Sequence, residues 1–467
     1  RHLDPLLRQA AGLGGWQVIS PGRGAGRVRL TDRLLAVQGE RYPEATVLIA
    51  DAVEGSEEIP EGVTAVLTSA TPDLVSHVAV RARNARVLFA TCFEPQTYQQ
   101  LKARKDGILS LRVTPGGDVA LEEGTAQAQS KMARKPEHGR AFRSSVPSFS
   151  GWVVMQDQFT PQVVGGKSNN LNGLRGRLPD WIHGPVSLAL PFGVFEKTLE
   201  DARNRDVRGK YTALLATAEA DPAGVLPRVR ELLLDLAPPA ALQQSLRDAW
   251  QRVGLPAVPW EQTWRSIQRV WASKWNERAF LSRRARGVAH DDLRMAVLIQ
   301  QVVEADYAFV IHTVNPLTGN REEIYAEVVL GLGETLVGNY PGRALGFTCR
   351  KADLKPEILS YPGKSLGLYG RGVIFRSDSN GEDLEGFAGA GLYDSVLAEE
   401  PEQRLLDYRK ERLVWDPDFR DGLLRAIARI GLEVENILGS PQDIEGAVAG
   451  GVYFVVQTRP QVGLSSE

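Results

Sequence analysis

Cysteine is nearly absent from this chain: Cys92 and Cys349 are the only two in 467 residues. Two thiols that far apart leave no room for a disulfide framework or a zinc ribbon, and they fit a reducing compartment. Long apolar runs are missing too. None approaches the ~18 residues of a membrane-spanning helix, so no membrane partner is expected. Neither sign of charge is in excess, with 55 Lys and Arg against 57 Asp and Glu and a formal net charge of −2. That balance gives no reason to expect nucleic acid or an anionic membrane surface as partner. A targeting segment is also lacking, and the chain opens on Arg1 instead of methionine. The expectation is a mature form or a piece of a longer protein. What remains is a globular chain long enough for two or three domains with ample cores.

Of the six histidines, His77 stands in the most suggestive setting, TSATPDLVSHVAVRARNARVLFATCF (68–93). The apolar run TAVLTSA breaks at Pro72 and resumes as SHVAVRARN, whose spacing predicts a helix with the histidine in its first turn. A helix start offers unsatisfied N–H groups and the positive end of the dipole, which suits an anion. A neutral imidazole there can attack phosphorus and carry the group it acquires. Arg81, four residues on, and Arg83, six on, are placed to screen the new charge. A histidine that merely fills an ordinary helix start accounts for this window equally well.

Short β-runs such as RVRL (27–30), ATVLIA (45–50) and TAVLT (64–68) alternate with brief helices through residues 1–135. The glycine cluster PGRGAG (21–26) lacks the Lys-Ser/Thr ending of a phosphate loop and leads into a strand, so it is expected to be a turn. Residues 127–150 turn polar and basic without periodicity, and 136–150 is the expected linker. A second unit is expected over 151–467, mostly helical at 196–287 and sheet-rich beyond 290. Trp264, Trp271 and Trp275 sit near helical spacing and are expected in a core.

In that second unit, polar groups interrupt strand patterns where a plain core would not put them. Lys167 follows a glycine pair that permits close backbone approach to a phosphate. Arg376 breaks the run GVIF and can grip phosphate oxygens bidentately. Asp443 and Glu445 lie two apart, so on a strand both carboxylates face one way, as a magnesium ion shared with a triphosphate would require. Gln457 and Arg459 repeat that alternation, and Glu327 is a further strand carboxylate that could approach the metal. Each of these also has an ordinary surface reading; their combination in one sheet-rich unit is what points to a site.

The stretches GGKSNNL, VLIQQVV, NPLTGNREEIYAEVVLGLGE, RSDSNGEDLEGFAGAG and QDIEGAV–VVQTRP resemble the nucleotide-binding domain of the dikinases, the group of pyruvate phosphate dikinase and phosphoenolpyruvate synthase. DLVSHVAVRARN resembles their phosphohistidine domain. The order of segments, histidine first and RSDSNGEDLEG after GLGE, is similar to the α-glucan water dikinase family. No stretch after Gln461 is long enough for the barrel of the pyruvate enzymes. The resemblance implies an α/β and α+β multidomain chain: a swivelling β/α phosphohistidine domain followed by an ATP-grasp domain with a helical insertion. It implies that His77 is the phosphorylated histidine and that Arg83 matches the arginine following it. Lys167 and Arg376 would bind the ATP phosphates, with Gln457 and Arg459 completing the triphosphate site. Gln300 and Gln301 would lie at the adenine-side hinge. Asp443 and Glu445, with Glu327, would serve Mg2+. ATP and a starch-like α-glucan are the implied substrates, the plastid the implied location, and starch-binding modules would lie upstream of Arg1. The glucan site is not legible, and an acceptor at O3 of a phosphoglucan or another small acceptor stays open beside glucose O6.

Overall fold

The run ATVLIA is apolar at every position but Thr46, and all six of its residues are buried within the strand Arg41–Ala52. Continuous apolar runs of this kind belong to parallel strands covered on both sides. In the structure, a computed structural model, residues 14–123 and 147–461 are described, apart from 56, 115–116, 286, 339, 341 and 382–391. The expected linker at 136–150 falls mainly outside the described residues.

Arg41–Ala52 sits at the centre of a seven-stranded sheet built from residues 16–123. Its neighbours Arg23–Arg33 and Glu61–Thr68 run parallel to it, and Leu88–Cys92 continues the parallel set. Alternate residues feed two cores. Val47, Ile49 and Leu67 pack toward Tyr98 and Leu101 of the helix Pro95–Ala103. Leu48, Ala50 and Val66 pack toward Val78, Ala79 and Ala82 of the helix His77–Asn84. That helix connects two parallel strands, so its start lies beyond the carboxyl end of Glu61–Thr68, where open α/β sheets bind ligands. The glycine cluster is only partly a turn: from Arg23 on it is strand. Gly26 is required there by close packing, since a Cβ would stand 2.3 Å from the Ala45 carbonyl oxygen.

Residues beyond 150 build two further sheets. One has five antiparallel strands, with Met295–Gln301 between Ser187–Leu190 and Val373–Ser379. The other has seven, with Tyr307–His312 between Glu323–Leu330 and Gln442–Ala449, and Val452–Pro460 next to the last. One face of the second sheet is covered by the long helix Pro417–Leu438 through Leu424, Ile427 and Val434. Between Val194 and Ala285 the chain is helical, and Trp264, Trp271 and Trp275 are buried in its core as their spacing predicts. No helix among the described residues is long and apolar enough to cross a membrane.

The histidine-bearing unit lies on the free face of the seven-stranded sheet. Val75 packs among Ala308, Val310, Tyr325 and Val329. This contact points the start of the helix His77–Asn84 into the gap between the two sheets.

Candidate active site

That gap is a cavity of about 410 Å3 whose wall takes residues from the two sheets beyond residue 150 and His77 from the first unit. His77, Lys167, Gln300, Gln301, Arg376, Glu445, Gln457 and Arg459 line it together. Eight residues chosen from scattered segments thus meet at one place. Asp443, Glu327 and Arg83 do not reach the cavity wall.

His77 is the first residue of its helix, and the loop before it is tied down locally. Ser76 donates from both its amide and its hydroxyl to the Asp73 carbonyl, at 3.1 and 2.7 Å. The helix start is not wholly open to an anion, because the Val78 N–H already donates to Gly55 O at 2.8 Å. Burial, then the charges of Arg81, Arg459, Arg278 and Lys167, lowers the His77 pKa to about 3. The imidazole is therefore neutral at any physiological pH, the form a nucleophile needs. Arg81 is held in the fold by Glu57 O at 2.8 Å and Glu58 at 3.2 Å. Arg83 donates to Ile19 O at 3.2 Å and faces the charges of Asp443 and Glu327.

Lys167 stands in the first turn of the helix Gly166–Leu174, which the glycine pair opens. A residue that sequence reasoning missed fixes this turn. Asp378 accepts from the Gly165 and Lys167 amides, at 2.9 and 3.0 Å, and so caps the helix from a strand of the other half of the unit. A Cβ on Gly165 would meet Asp378 at 2.4 Å. The lysine ammonium donates to Ser377 O at 2.8 Å.

Arg376 spans the gap. Its Nη1 donates to Gln457 Oε1 at 2.8 Å and lies 3.5 Å from Glu445. Gln457 pairs with Glu445 across neighbouring strands, and Arg459 with Asp443, so the four alternate side chains share one sheet face. Arg459 lies 3.4 Å from Asp443, whose other oxygen is bonded to His312 Nδ1. Burial acts to raise the Asp443 pKa, but His312 and Arg459 together bring it below the ordinary carboxylate value. Asp443 is therefore an ionised anchor for Arg459. Gln300 is buried and donates to Val456 O at 3.2 Å, while Gln301 is half-buried at the end of its strand.

Glu327 lies on the same sheet face, in register with Val310 and Glu445. It is buried beneath the docked unit and accepts from the Tyr325 hydroxyl at 2.6 Å. Burial, then Asp73, pushes its pKa up to about 8. For a divalent cation the best fit is Glu445, which faces the cavity with only a long contact to Arg376. Among the described residues no group of three or more His, Cys, Asp or Glu side chains could hold a metal unaided. A magnesium ion here would take Glu445 together with substrate oxygens, the usual arrangement for a nucleotide-bound ion.

The helical segment also contributes residues that no motif flagged. Arg269 and Arg278 line the cavity, and Arg278 is held by Asp394 at 2.6 Å and Leu392 O at 3.1 Å. Glu334, also on the wall, has its carboxyl pKa raised by burial. The wall carries Lys167, Arg269, Arg278, Arg376 and Arg459 against Glu334, Asp394 and Glu445. A cationic excess around a neutral imidazole suits a polyanion bearing an electrophilic phosphorus.

Comparison with known proteins agrees with this chemistry. Residues 15–131 match the family described as "Alpha-glucan water dikinase, phosphohistidine-like domain", and residues 257–342 match "Pyruvate phosphate dikinase, AMP/ATP-binding domain". The chain is 48% identical over 471 residues to the chloroplastic α-glucan water dikinase of Solanum tuberosum, covering 99% of this chain and 32% of the relative. It is 50% identical over 475 residues to that of Citrus reticulata, with the same coverage. Against α-glucan water dikinase 2 of Arabidopsis thaliana it is 45% identical over 468 residues, covering 99% of this chain and 37% of the relative. The chain thus spans about a third of the length of the curated relatives it matches.

Proposed function

Because the chain belongs to the α-glucan water dikinase family, we propose that it carries out the two phosphoryl transfers of a dikinase acting on starch-like α-glucan in the plastid. The observation that carries this reading is the meeting of His77 with Lys167, Arg376, Gln457 and Arg459 in one cavity. A nucleophile brought to a nucleotide site by a separate unit is what a carrier of phosphate needs.

In the first transfer the neutral His77 imidazole attacks the β-phosphorus of ATP. The N–P bond forms as the bond from that phosphorus to the α-phosphate oxygen breaks, and AMP leaves. The γ-phosphate passes to water as orthophosphate. Arg376 and Lys167 hold phosphate oxygens, Arg459 is kept in place by Asp443, and the rim at Gln300 and Gln301 takes the adenine. Mg2+ held by Glu445 and the phosphates would offset charge on the leaving oxygens. In the second transfer a glucose hydroxyl, taken to be O6, attacks the phosphohistidine and regenerates the imidazole.

The reading includes the architecture: a phosphohistidine unit over 1–135, a connection at 136–150 and an ATP-grasp unit over 151–467. Two sheets enclosing the cavity support the ATP-grasp assignment. A glucan chain cannot enter a cavity of about 410 Å3 already occupied by nucleotide, which supports movement of the first unit between two sites. The test is to incubate the protein with ATP and soluble glucan, then separate the products. AMP, orthophosphate and glucose 6-phosphate units after glucan hydrolysis are expected. ADP as the sole nucleotide product would overturn the reading, and glucose 3-phosphate units would correct the acceptor.

A further inference from the structure

Four residues before His77, Asp73 makes a contact that the two transfers above do not use. Its carboxylate receives the Lys364 ammonium at 2.7 Å, and both side chains are almost completely buried, at 5% and 1% exposure. It also accepts from the Ala344 backbone amide. Lys364 completes its donors on Tyr340 O at 2.6 Å and Gly342 O at 3.1 Å. All of Asp73's partners named here lie in the nucleotide-binding unit. Its main-chain carbonyl, in contrast, holds Ser76 at the helix start. One residue thus ties the nucleophile's helix locally and grips the other unit with its side chain.

Other contacts between the units are of several kinds, among them Arg343 over the Phe93 ring at 5.6 Å. Val75, with Leu74 beside it, supplies an apolar part, and Arg343 reaches Gln17 at 3.5 Å. Beneath the helix, Glu327 Oε2 and Arg83 Nη2 are buried with no hydrogen-bond partner among the described residues. Unsatisfied polar atoms weaken such an interface, as suits one that must open. Within it lies a buried ion pair, Asp73 with Lys364. Removing one member leaves a buried charge unpaired, which is far costlier than losing a surface pair.

We propose that Asp73 and Lys364 form a docking latch, a pair of positioning residues that hold His77 in the nucleotide cavity for phosphorylation by ATP and play no part in delivery to the acceptor. The proposal rests on the dikinase reading above. When the latch is closed, His77 is four residues from a fixed point. When it opens, Asp73 leaves with the histidine and Lys364 stays with the nucleotide site.

The test compares the wild-type chain with Lys364→Met, Asp73→Asn and the exchanged pair Asp73→Lys/Lys364→Asp. Phosphohistidine formation from β-labelled ATP is followed in a single turnover. Discharge of the isolated phosphoprotein onto soluble glucan is followed separately, and hydrogen exchange is read over residues 73–84. Each single variant is expected to slow phosphorylation about 100-fold, to raise exchange at the helix and to leave discharge within about twofold. The exchanged pair is expected to recover at least about tenfold of the loss. ATP affinity close to wild type shows that the variants fold. Unchanged exchange together with unchanged phosphorylation overturns the latch, and so does an equal fall in both transfers. If the wild-type chain forms no phosphohistidine while exchange still rises in the variants, the latch stands as a docking device and the dikinase reading falls.

Discussion

Arg376 and Gln457, 81 residues apart, are joined by a 2.8 Å hydrogen bond that ties the five-stranded sheet to the seven-stranded one across the nucleotide cavity. The guanidinium can make this bond and still present further N–H groups to a phosphate in a rigid planar fork, a geometry that the point-like ammonium does not reproduce. Arg376→Lys is therefore expected to keep the charge and lose the bridge. Loss of a charge-assisted hydrogen bond of about 1.5–3 kcal/mol predicts ATP binding weaker by about 10- to 100-fold. Calorimetric titration with a non-hydrolysable ATP analogue checks this. Affinity unchanged in Arg376→Lys would show that the bridge has no role in the site.

Asp378 caps the helix that carries Lys167 from a strand more than 200 residues away. Asp378→Ala is expected to lower stability by about 1–2 kcal/mol, as loss of a helix cap does, and to weaken ATP binding as well. Gly165→Ala should be worse, because the new methyl group meets both the Asp378 carboxylate and the Ser379 carbonyl. Thermal denaturation and nucleotide titration on both variants measure the two effects.

The His77 pKa offers a test of docking that does not depend on turnover. Its lowering, from 6.5 to about 3, means that an open, solvated state binds a proton between those values while the docked state does not. The His77 contribution to docking is thus expected to be lost as pH falls through that window and to gain nothing further above 6.5, while Glu327, raised to about 8, and Asp73, raised to about 6, both by burial, act in the opposite direction as pH rises. In NMR titration the His77 ring should stay neutral from pH 8 to 5 in the wild-type chain. In Lys364→Met it should titrate near 6.5.

Glu445→Gln removes the cavity carboxylate best placed for magnesium while preserving its shape. Weaker Mn2+ binding in the presence of an ATP analogue, read by electron paramagnetic resonance, is the expected result. Chelation of divalent cations should stop phosphoenzyme formation in the wild-type chain. Mn2+ binding unchanged in Glu445→Gln would move the ion to other ligands.

Much of this site was legible in the sequence because strands alternate. Two-residue spacing put Asp443 with Glu445 and Gln457 with Arg459 on one face, and the structure pairs the four across adjacent strands. Alternation gives a face but says nothing of what covers it. Glu327 shares that face and is nevertheless buried under the histidine unit, bonded to Tyr325. The spacing of Asp443 predicts a metal ligand, whereas in the structure its oxygens are engaged by His312 and Arg459. His312, Asp378, Arg278 and the Asp73–Lys364 pair could not be found from spacing. Their partners lie roughly one hundred to three hundred residues away, and only tertiary packing joins them. The sheets and the buried tryptophans followed from pattern, whereas the glycine cluster at 21–26 did not. Glycine serves there as a small residue inside a strand, a use that composition cannot distinguish from a turn.

The central claim is that His77 takes the β-phosphate of ATP and passes it on. Parallel incubations with ATP labelled at the β- or the γ-position test it most directly, with His77→Ala as control and acid lability with base stability as the mark of phosphohistidine. The account predicts label from the β-position only, absent in the variant and chased onto soluble glucan. Label from the γ-position, or label that survives in His77→Ala, would contradict it.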